Sequence, residues 1–463
     1  MRAMTLNEVR QAIRGRWLDR GEPIPIRGIS IDTRTASPGD LFVAIGGDKF
    51  DGHDFLQAAA QAGCTAAVVD QARDIDPEIR KKFTAGVVGA SDTRAALGDL
   101  AGYYRSVIPA TVVAVTGSNG KTTVKRMIDH VLRTRFVGSC SPKSFNNDIG
   151  VPLTLLGTGG GDDYVVCEVG SNAPGEIAGL ARIIKPDIAV VTNVAQAHLE
   201  KLGSLGQIAT EKASLLGWLG ERGLAVVWAD SDELDMALKS YPHRMIRFGE
   251  SDPAQLRLTG YEPDGPGLRF EINNHHWAKL ALPGKHNAIN ALAAVAVCMK
   301  FGFSQAQATD ALADFAGVEM RLEQIEVDGL KIINDAYNAN PTSCRAAVDV
   351  LVDCPARRRV FVAGDMLELG QASEELHAEL GKHLAREPVD VIVGVGPGGK
   401  IVAKNAGEFG KGKQTALFDD TNAAAAEIAD LLTAGDVVLL KGSRAMGLER
   451  LTEAIRNAKG NGK

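Results

Sequence analysis

No stretch of this chain offers the ~18–20 consecutive apolar residues that a membrane-spanning helix takes. The nearest approach, Ile183 to Ala197, is interrupted by Lys185, Pro186 and Asp187. The opening MRAMTLNEVRQAIRGRW scatters charge where a secretory leader would carry an apolar block, so no leader is expected. Aromatic residues make up 5%, which leaves little for base-stacking platforms. Positive charge is not in excess either: 51 Lys and Arg against 57 Asp and Glu leave a net charge of −6. That sign gives the whole chain no attraction for nucleic acid or anionic lipid, although a locally basic pocket is compatible with it. The six cysteines (Cys64, Cys140, Cys167, Cys298, Cys344, Cys354) form no C-x-x-C pair and no metal-like spacing. They read as buried free thiols in a reducing compartment, and a cytoplasmic protein is expected.

What is there is a globular composition, 45% hydrophobic and 23% charged, on 463 residues. That length exceeds one core, since single domains rarely grow past ~250–300 residues. Three segments are expected. Up to Ile108, short half-buried strands (28–31, 40–44, 66–69) alternate with helical patterns around 54–62 and 92–104. From Pro109 to 319 the texture changes. TVVAVT (111–116), 164–169, 187–193 and 223–229 are continuous β-rich runs, as in parallel strands covered on both faces. The apolar helical run HNAINALAAVAVCMK (286–300) should be buried. From 320 on, strand-like runs at 330–334, 360–363, 389–393 and 437–440 are each followed by a helical pattern, so a second Rossmann-like unit is expected. The fold class is α/β, with a small N-terminal domain, a central parallel-sheet domain and a C-terminal Rossmann-like domain.

The sharpest motif is TGSNGKTT, residues 116–123, between a buried strand and a helical pattern over 122–132. Gly117 and Gly120 let Ser118 and Asn119 wrap a phosphate with backbone N–H groups pointing inward. Lys121 supplies a point charge for the β- and γ-phosphates, Thr122 a hydroxyl for Mg²⁺, and Thr123 continues the helix N-terminus, whose partial charge favours anions. The spacing is tighter than the general G-x-x-x-x-G-K-[ST], whose first glycine would fall on Val115. A rival motif stands in GVGPGG. Gly394, Gly396 and Gly399 have dinucleotide-loop spacing after a strand, with Asp419 some distance on, while Pro397 restricts the turn. An ordinary strand-to-helix turn competes with that reading.

Glu168 and His198 end or follow strands that should converge on the phosphates. A capping or core histidine is the alternative for His198. By itself, Lys212 in IATEKASLL reads as a solvated residue of a helix over 204–219, paired with Glu211. Further on, NDAYNANPTS (334–343) crowds Asp335, Asn338 and Asn340 at a strand end. GDMLELG (364–370) adds Asp365 and Glu368, and KGSRAMGLE (441–449) adds Lys441, Ser443 and Arg444. Two cations at strand ends suit a carboxylate or other anionic ligand.

In this order, DTRTASPGDLFVAI, FDGHDF, TGSNGKTT, SFNNDIGVPLTLL, EVGSNAPGEI, NVAQAHLE, PGKHNAINALAA, EMRLE, NDAYNANPTS, GDMLELG and KGSRAMGLE resemble the Mur ligase family over nearly the whole chain. These are ATP-dependent amide-bond ligases of peptidoglycan precursor synthesis. SFNNDIGVP, NDAYNANPTS and GDMLELG resemble the branch that adds D-alanyl-D-alanine to UDP-N-acetylmuramoyl-tripeptide. The DYAHTP and DNPR motifs of the preceding ligase do not occur, and folylpolyglutamate synthases share the phosphate loop but lack such a first domain.

The resemblance implies that the first domain binds the UDP end through Ser30, Thr33, Arg34 and His53, with Asn146 and Asn147 along the peptidyl arm. It implies ATP on Gly117–Thr123, with Asn287 at the adenine and Arg321 and Asp335 near the nucleotide. Two Mg²⁺ ions would be held by Thr122, Glu168, His198 and a carbamylated Lys212. D-Ala-D-Ala would meet Asn338, Lys441, Ser443 and Arg444, and Lys121, His198, Lys212 and Asp335 would serve catalysis. A monomer with no nucleic-acid or membrane partner is expected. A nucleotide-binding regulatory module and a nicotinamide-dependent dehydrogenase remain the rival classes.

Overall fold

The structure, a computed structural model, describes residues 1–47, 50–196 and 199–460. Three sheets succeed one another along the chain. The first runs in the order Arg16–Arg20, Gly86–Ala90, Ala66–Asp70, Asp40–Val43, Gly28–Ser30, with only the outer Arg16–Arg20 antiparallel to its neighbour. The middle sheet is centred on Thr111–Thr116, which lies between Tyr164–Glu168 and Ile188–Val191. It continues in parallel through Leu224–Trp228 and Arg244–Gly249, then ends in an antiparallel meander, Leu256–Asp264, Gly267–Ile272 and His276–Leu280. The last sheet orders as Glu323–Val327, Leu330–Asn334, Asp436–Lys441, Arg358–Ala363, Val391–Val395, Gln414–Phe418, antiparallel only at its first pair. The architecture is the expected three-domain α/β fold.

Strands covered on both faces are where the expected runs and the structure agree. Val112 through Thr116 and Tyr164 through Glu168 are all buried, because helices pack on both sides of the parallel sheet. One helix departs from expectation in its last turns. The helix expected over 204–219 is α-helical only over Leu205–Ala213 and tightens to a 3₁₀ turn at Ser214–Trp218. Ser204 starts it, accepting the Gln207 N–H in a capping box.

The first two domains share a core. One continuous apolar cluster joins Met4, Leu41 and Leu97 of the first to Val112, Leu155 and Leu180 of the second. Its axis is the helix Thr93–Val107, whose Tyr104 is fully buried. The Tyr104 hydroxyl donates to the Thr158 carbonyl of the middle domain at 2.7 Å and accepts the Arg2 N–H at 2.6 Å. The third domain differs: none of the apolar clusters among the described residues continues from the middle domain into it. Polar contacts join it instead, Tyr261 hydroxyl to Asp353 at 2.9 Å and Asn340 Nδ2 to Asn119 Oδ1 at 2.7 Å among them.

Tyr104→Phe keeps the ring and removes both hydrogen bonds at this inter-domain staple. It should lower stability by ~1–3 kcal/mol, read as a lower urea midpoint with an unchanged slope.

Candidate functional site

The chain leaves strand Thr111–Thr116 through two glycines in the left-handed half of backbone space, Gly117 (φ 145°) and Gly120 (φ 79°). Neither tolerates a side chain. A Cβ on Gly117 would lie 1.9 Å from Thr192 Oγ1, and one on Gly120 2.4 Å from Asn290 Oδ1. The outer edge of the loop is clamped by the segment after Ile188–Val191. Ser118 Oγ accepts the Ala195 N–H at 2.9 Å, and the Asn119 N–H donates to Asn193 Oδ1 at 2.9 Å. Lys121 opens the helix Lys121–Leu132 and folds back over the loop, donating to the Gly117 and Ser118 carbonyls at 2.8 and 3.2 Å. Burial pulls its ammonium down to about 8; Glu168 opposes the shift and Arg321 adds to it. Thr122 and Thr123 are both buried in the first turn.

Below the loop sits the carboxylate of Glu168, 1% exposed. It accepts the Thr122 hydroxyl at 2.9 Å and Asn146 Nδ2 at 3.0 Å, and pairs with Lys125 Nζ at 3.0 Å. Burial pushes its pKa up, yet Lys125, Lys121 and Arg321 together outweigh that and hold it below the usual carboxylate range. Arg321 enters from the linker to the third domain and donates to Thr122 Oγ1 at 2.9 Å while stacking 4.3 Å from the Tyr337 ring centre. Its neighbours Met320 (φ 57°) and Leu322 (φ 53°) both take the left-handed conformation that non-glycine residues seldom adopt, so the backbone aims Arg321 under strain. Lys125 escaped the motif reading, although it lies four residues after Lys121 on the same helix. Its fully buried ammonium also donates to the carbonyls of Ser141 (2.9 Å) and Lys143 (2.5 Å), anchoring the loop that carries Asn146 and Asn147.

Lys212 corrects the reading of that residue by itself. It is 2% exposed, not solvated, and its Nζ donates to Ser171 Oγ at 2.9 Å. Glu211 is no partner for it, because its carboxylate accepts the N–H groups of Gly175 (2.7 Å) and Ile177 (2.9 Å) at the start of helix Glu176–Ile184. Burial lowers the Lys212 ammonium to about 7, with repulsion from Lys121 adding to the effect and Glu211 and Glu176 opposing it. His198 lies outside the described residues. Among the described residues no three His, Cys, Asp or Glu side chains gather as a ready metal site. The Thr122 hydroxyl and the Glu168 carboxylate are nevertheless the hard oxygen donors that magnesium takes, and they adjoin the phosphate loop.

Asn287 is buried, donating from Nδ2 to the Pro283 carbonyl (2.8 Å) and accepting Asn290 Nδ2 at Oδ1 (3.2 Å). Beside it, burial drives His286 down to about 4, with Asp335 opposing and Lys441 assisting. Asp335 and Lys441 form an ion pair at 2.5 Å, and Lys441 donates further to the Asn338 carbonyl at 2.9 Å. Lys441, 4% exposed, is therefore committed inside the third domain. Of the two strand-end cations, Arg444 is the one that borders the cavity between the middle and third domains. That cavity, about 340 Å³, brings Ser118 and Lys121 to face Asn338, Ser443 and Arg444.

In the first domain, Ser30 Oγ accepts the Asp32 N–H at 3.2 Å, and exposed Arg34 grips the Asp32 carboxylate, holding it down to about 2. Thr33 lies between them in the turn. His53 is held on both ring nitrogens, Nδ1 against Asp51 at 2.6 Å and Nε2 accepting the Asp70 N–H at 2.8 Å. Asn147 Oδ1 caps the helix Gly150–Gly157 by accepting the Gly150 N–H. The same loop reaches the first domain, where Phe145 and Pro142 line a cavity of about 290 Å³ with Gly28 and Ile29.

The dinucleotide reading of GVGPGG does not survive the geometry. The N–H groups of Gly398 and Gly399, where a pyrophosphate would sit, donate to Asp365 Oδ1 at 2.7 and 3.0 Å. An internal carboxylate fills the anion position, and Asp419 pairs with Lys400.

The chain is similar to known proteins along nearly its whole length. Residues 25–105 match the Mur ligase family catalytic domain, 115–298 the Mur ligase middle domain and 320–444 the Mur ligase glutamate ligase domain. The chain belongs to the Mur ligase family. Within it, the chain is 35% identical to the UDP-N-acetylmuramoyl-tripeptide--D-alanyl-D-alanine ligase of Escherichia coli over 98% of this chain and 99% of that one. It is 33% identical to the Bacillus subtilis enzyme of the same name, over 97% and 98%. A crystal structure of MurF from Acinetobacter baumannii superimposes with a TM-score of 0.88 at 32% identity, covering 99% of both chains. MurF ligase from Thermotoga maritima in complex with ADP gives 0.82 at 28%, over 94% of this chain and 98% of that one.

Lys121→Ala removes the cation that folds over the phosphate loop. Turnover should fall by ~10²–10³ with circular dichroism unchanged; more than half of normal activity would make TGSNGKTT a structural turn.

Proposed function

We propose that this chain is the ATP-dependent ligase that joins D-alanyl-D-alanine to UDP-N-acetylmuramoyl-tripeptide, giving the pentapeptide precursor, ADP and phosphate. The observation that carries the reading is the likeness to ligases of that name along essentially the full length of both chains, at 33–35% identity. The phosphate loop, the Glu168 cluster and the cavity opposite Arg444 are the parts such a reaction needs.

A carboxylate is a poor electrophile, so the tripeptide carboxylate first attacks the γ-phosphorus of ATP and ADP leaves. The amine of D-Ala-D-Ala then attacks the carbonyl carbon of the acyl phosphate, phosphate leaves with the C–O bond's electron pair, and the amine's extra proton is released. Negative charge builds on the transferring phosphoryl oxygens, and stabilising it is the main catalytic demand. Lys121, the N–H groups of the first turn of helix Lys121–Leu132 and Arg321 are preorganised for that charge, whereas the Ser118 and Asn119 N–H groups, expected to face the phosphate, are committed to Asn193. Asn146 and Asn147 orient the peptidyl arm, Asn287 and Asp335 border the nucleotide, and Ser30, Thr33, Arg34 and His53 form the UDP end. Asn338, Ser443 and Arg444 receive the dipeptide, with Lys441 fixing Asn338 and Asp335 from behind.

Magnesium would be held by Thr122 and Glu168, with His198 and a modified Lys212 for a second ion, and would neutralise phosphate charge when bound. The Lys212 amine adds to the carbon of CO₂, a proton leaves the nitrogen, and the resulting carbamate carries one negative charge and two oxygens. A buried lysine with Ser171 Oγ at hand and, among the described residues, no carboxylate bonded to it suits that change. All these groups lie on one chain, so one copy suffices. No described helix is long and apolar enough to cross a membrane, consistent with work in the cytoplasm.

Phosphate release should require ATP, Mg²⁺, UDP-muramoyl-tripeptide (with diaminopimelate or lysine third) and D-Ala-D-Ala together. Equal turnover with a folate or free D-glutamate would overturn the assignment. For Lys212, ¹³C-bicarbonate should give a carbamate signal in the wild type, and Lys212→Arg should be nearly inactive. Absence of the signal together with a fully active variant would return Lys212 to a purely structural role.

A further inference from the structure

Two motifs, GDMLELG and GVGPGG, are left without a part in binding or catalysis, and the structure joins them around one histidine. After strand Arg358–Ala363 the chain turns at Gly364 and runs along the cavity that holds Ser118 and Lys121, with Leu367, Glu368 and Leu369 forming its wall. Several backbone contacts pin this run, among them the Glu200 N–H of the middle domain donating to the Glu368 carbonyl at 3.3 Å. Ser443 N–H donates to the Asp365 carbonyl at 2.9 Å, the Leu367 N–H to Ser443 Oγ at 2.9 Å, and the Met366 N–H to His377 Nε2 at 2.9 Å. Glu368 then takes a left-handed conformation (φ 63°), which turns the backbone at the cavity wall and leaves Leu367 44% exposed.

His377 is 1% exposed on helix Ser373–Arg386 and touches no part of the cavity itself. Its Nδ1 lies 2.6 Å from the Ser373 carbonyl, so Nδ1 carries the proton and Nε2 offers a lone pair to Met366. The ring is also wedged from behind. A Cβ on Gly398 would fall 2.3 Å from Nε2, so the second half of GVGPGG must be bare for the imidazole to stand there, while Asp365 ties Gly398 and Gly399 to the same loop. Without its acceptor, the Met366 N–H would be left buried and unpaired, and the run would shift to find water.

We propose that His377 is a positioning residue for dipeptide binding: by accepting the Met366 amide it fixes where Leu367 and Leu369 stand in the cavity wall, and through them the fit of the acceptor's small methyl side chains. This rests on the D-Ala-D-Ala reading above. Leu367 and Leu369 line the same cavity as Arg444, the pairing that a dipeptide with methyl groups and a terminal carboxylate would meet.

The test compares His377→Leu, which removes the acceptor, with His377→Gln, whose Oε1 can stand in for Nε2. His377→Leu should raise KM for D-Ala-D-Ala about tenfold, with kcat, the KM of the UDP-tripeptide and ATP affinity within about twofold. Amide exchange at Met366 and Leu367 should accelerate in the same variant, and His377→Gln should restore both. Should His377→Leu fail to fold, Gly398→Ala displaces the ring without changing it and should give the same pattern. Accelerated exchange with an unmoved dipeptide KM would overturn the role of His377 alone, as would unchanged exchange. A wild type indifferent to D-Ala-D-Ala would instead overturn the functional reading, which the substrate requirement checks separately.

Discussion

The carboxylate of Glu168 is the constraint from which the rest of the molecule is arranged. A buried anion is costly unless opposite charge and hydrogen bonds surround it, and here the compensating groups come from three pieces of chain. Lys125 belongs to the helix after the phosphate loop, Asn146 to the loop that reaches the first domain, and Arg321, acting through Thr122, to the linker of the third. Satisfying one side chain therefore fixes the relative positions of the loop 117–120, the Asn146 loop and the linker to the third domain. Lys125 makes the dependence mutual: it is fully buried, and without Glu168 it would be an uncompensated cation held only by carbonyls.

Much of this was legible in the sequence, and the boundary of what was legible is physical. TVVAVT coincides with its strand because burial on both faces demands an unbroken apolar run. The meander Leu256–Leu280 escaped because one of its faces meets solvent, mixing charged residues and an exposed Trp277 among the apolar ones. The polar strands Arg16–Arg20 and Gln414–Phe418 were hidden for the same reason at sheet edges. In the site, Gly117, Gly120 and Lys121 announced themselves because a phosphate loop is a local structure. Lys125 and His377 did not, since their partners lie far along the chain. The expected solvated Lys212 failed because helical position says nothing about what packs on a helix; only the resemblance pointed to a buried role. Lys441 had the right charge in the right motif, yet Asp335 claims it.

The domains are joined in two different ways. Apolar burial has no preferred direction and is lost in proportion to the area exposed, so the core shared around Tyr104 makes the first and middle domains one body. Between the middle and third domains the contacts are directional and polar, and the linker holds two residues in strained conformations. Such a joint can open by exchanging a few hydrogen bonds for water, whereas the first cannot open without exposing a core. The cavity lies at the joint that can move.

The amide of Asn340 adds a thermodynamic consequence. It caps the helix Pro341–Asp353 through Oδ1 and, through Nδ2, reaches Asn119 in the middle of the phosphate loop. The loop's shape and the third domain's orientation are thus two readings of one equilibrium, and linkage between them is symmetrical. Whatever holds the third domain down stabilises one form of the loop, and under the proposed function a nucleotide in the loop would favour the third domain's ligand by the same factor. Affinity for nucleotide is on this account a property of the whole chain: the middle domain in isolation would report a different number.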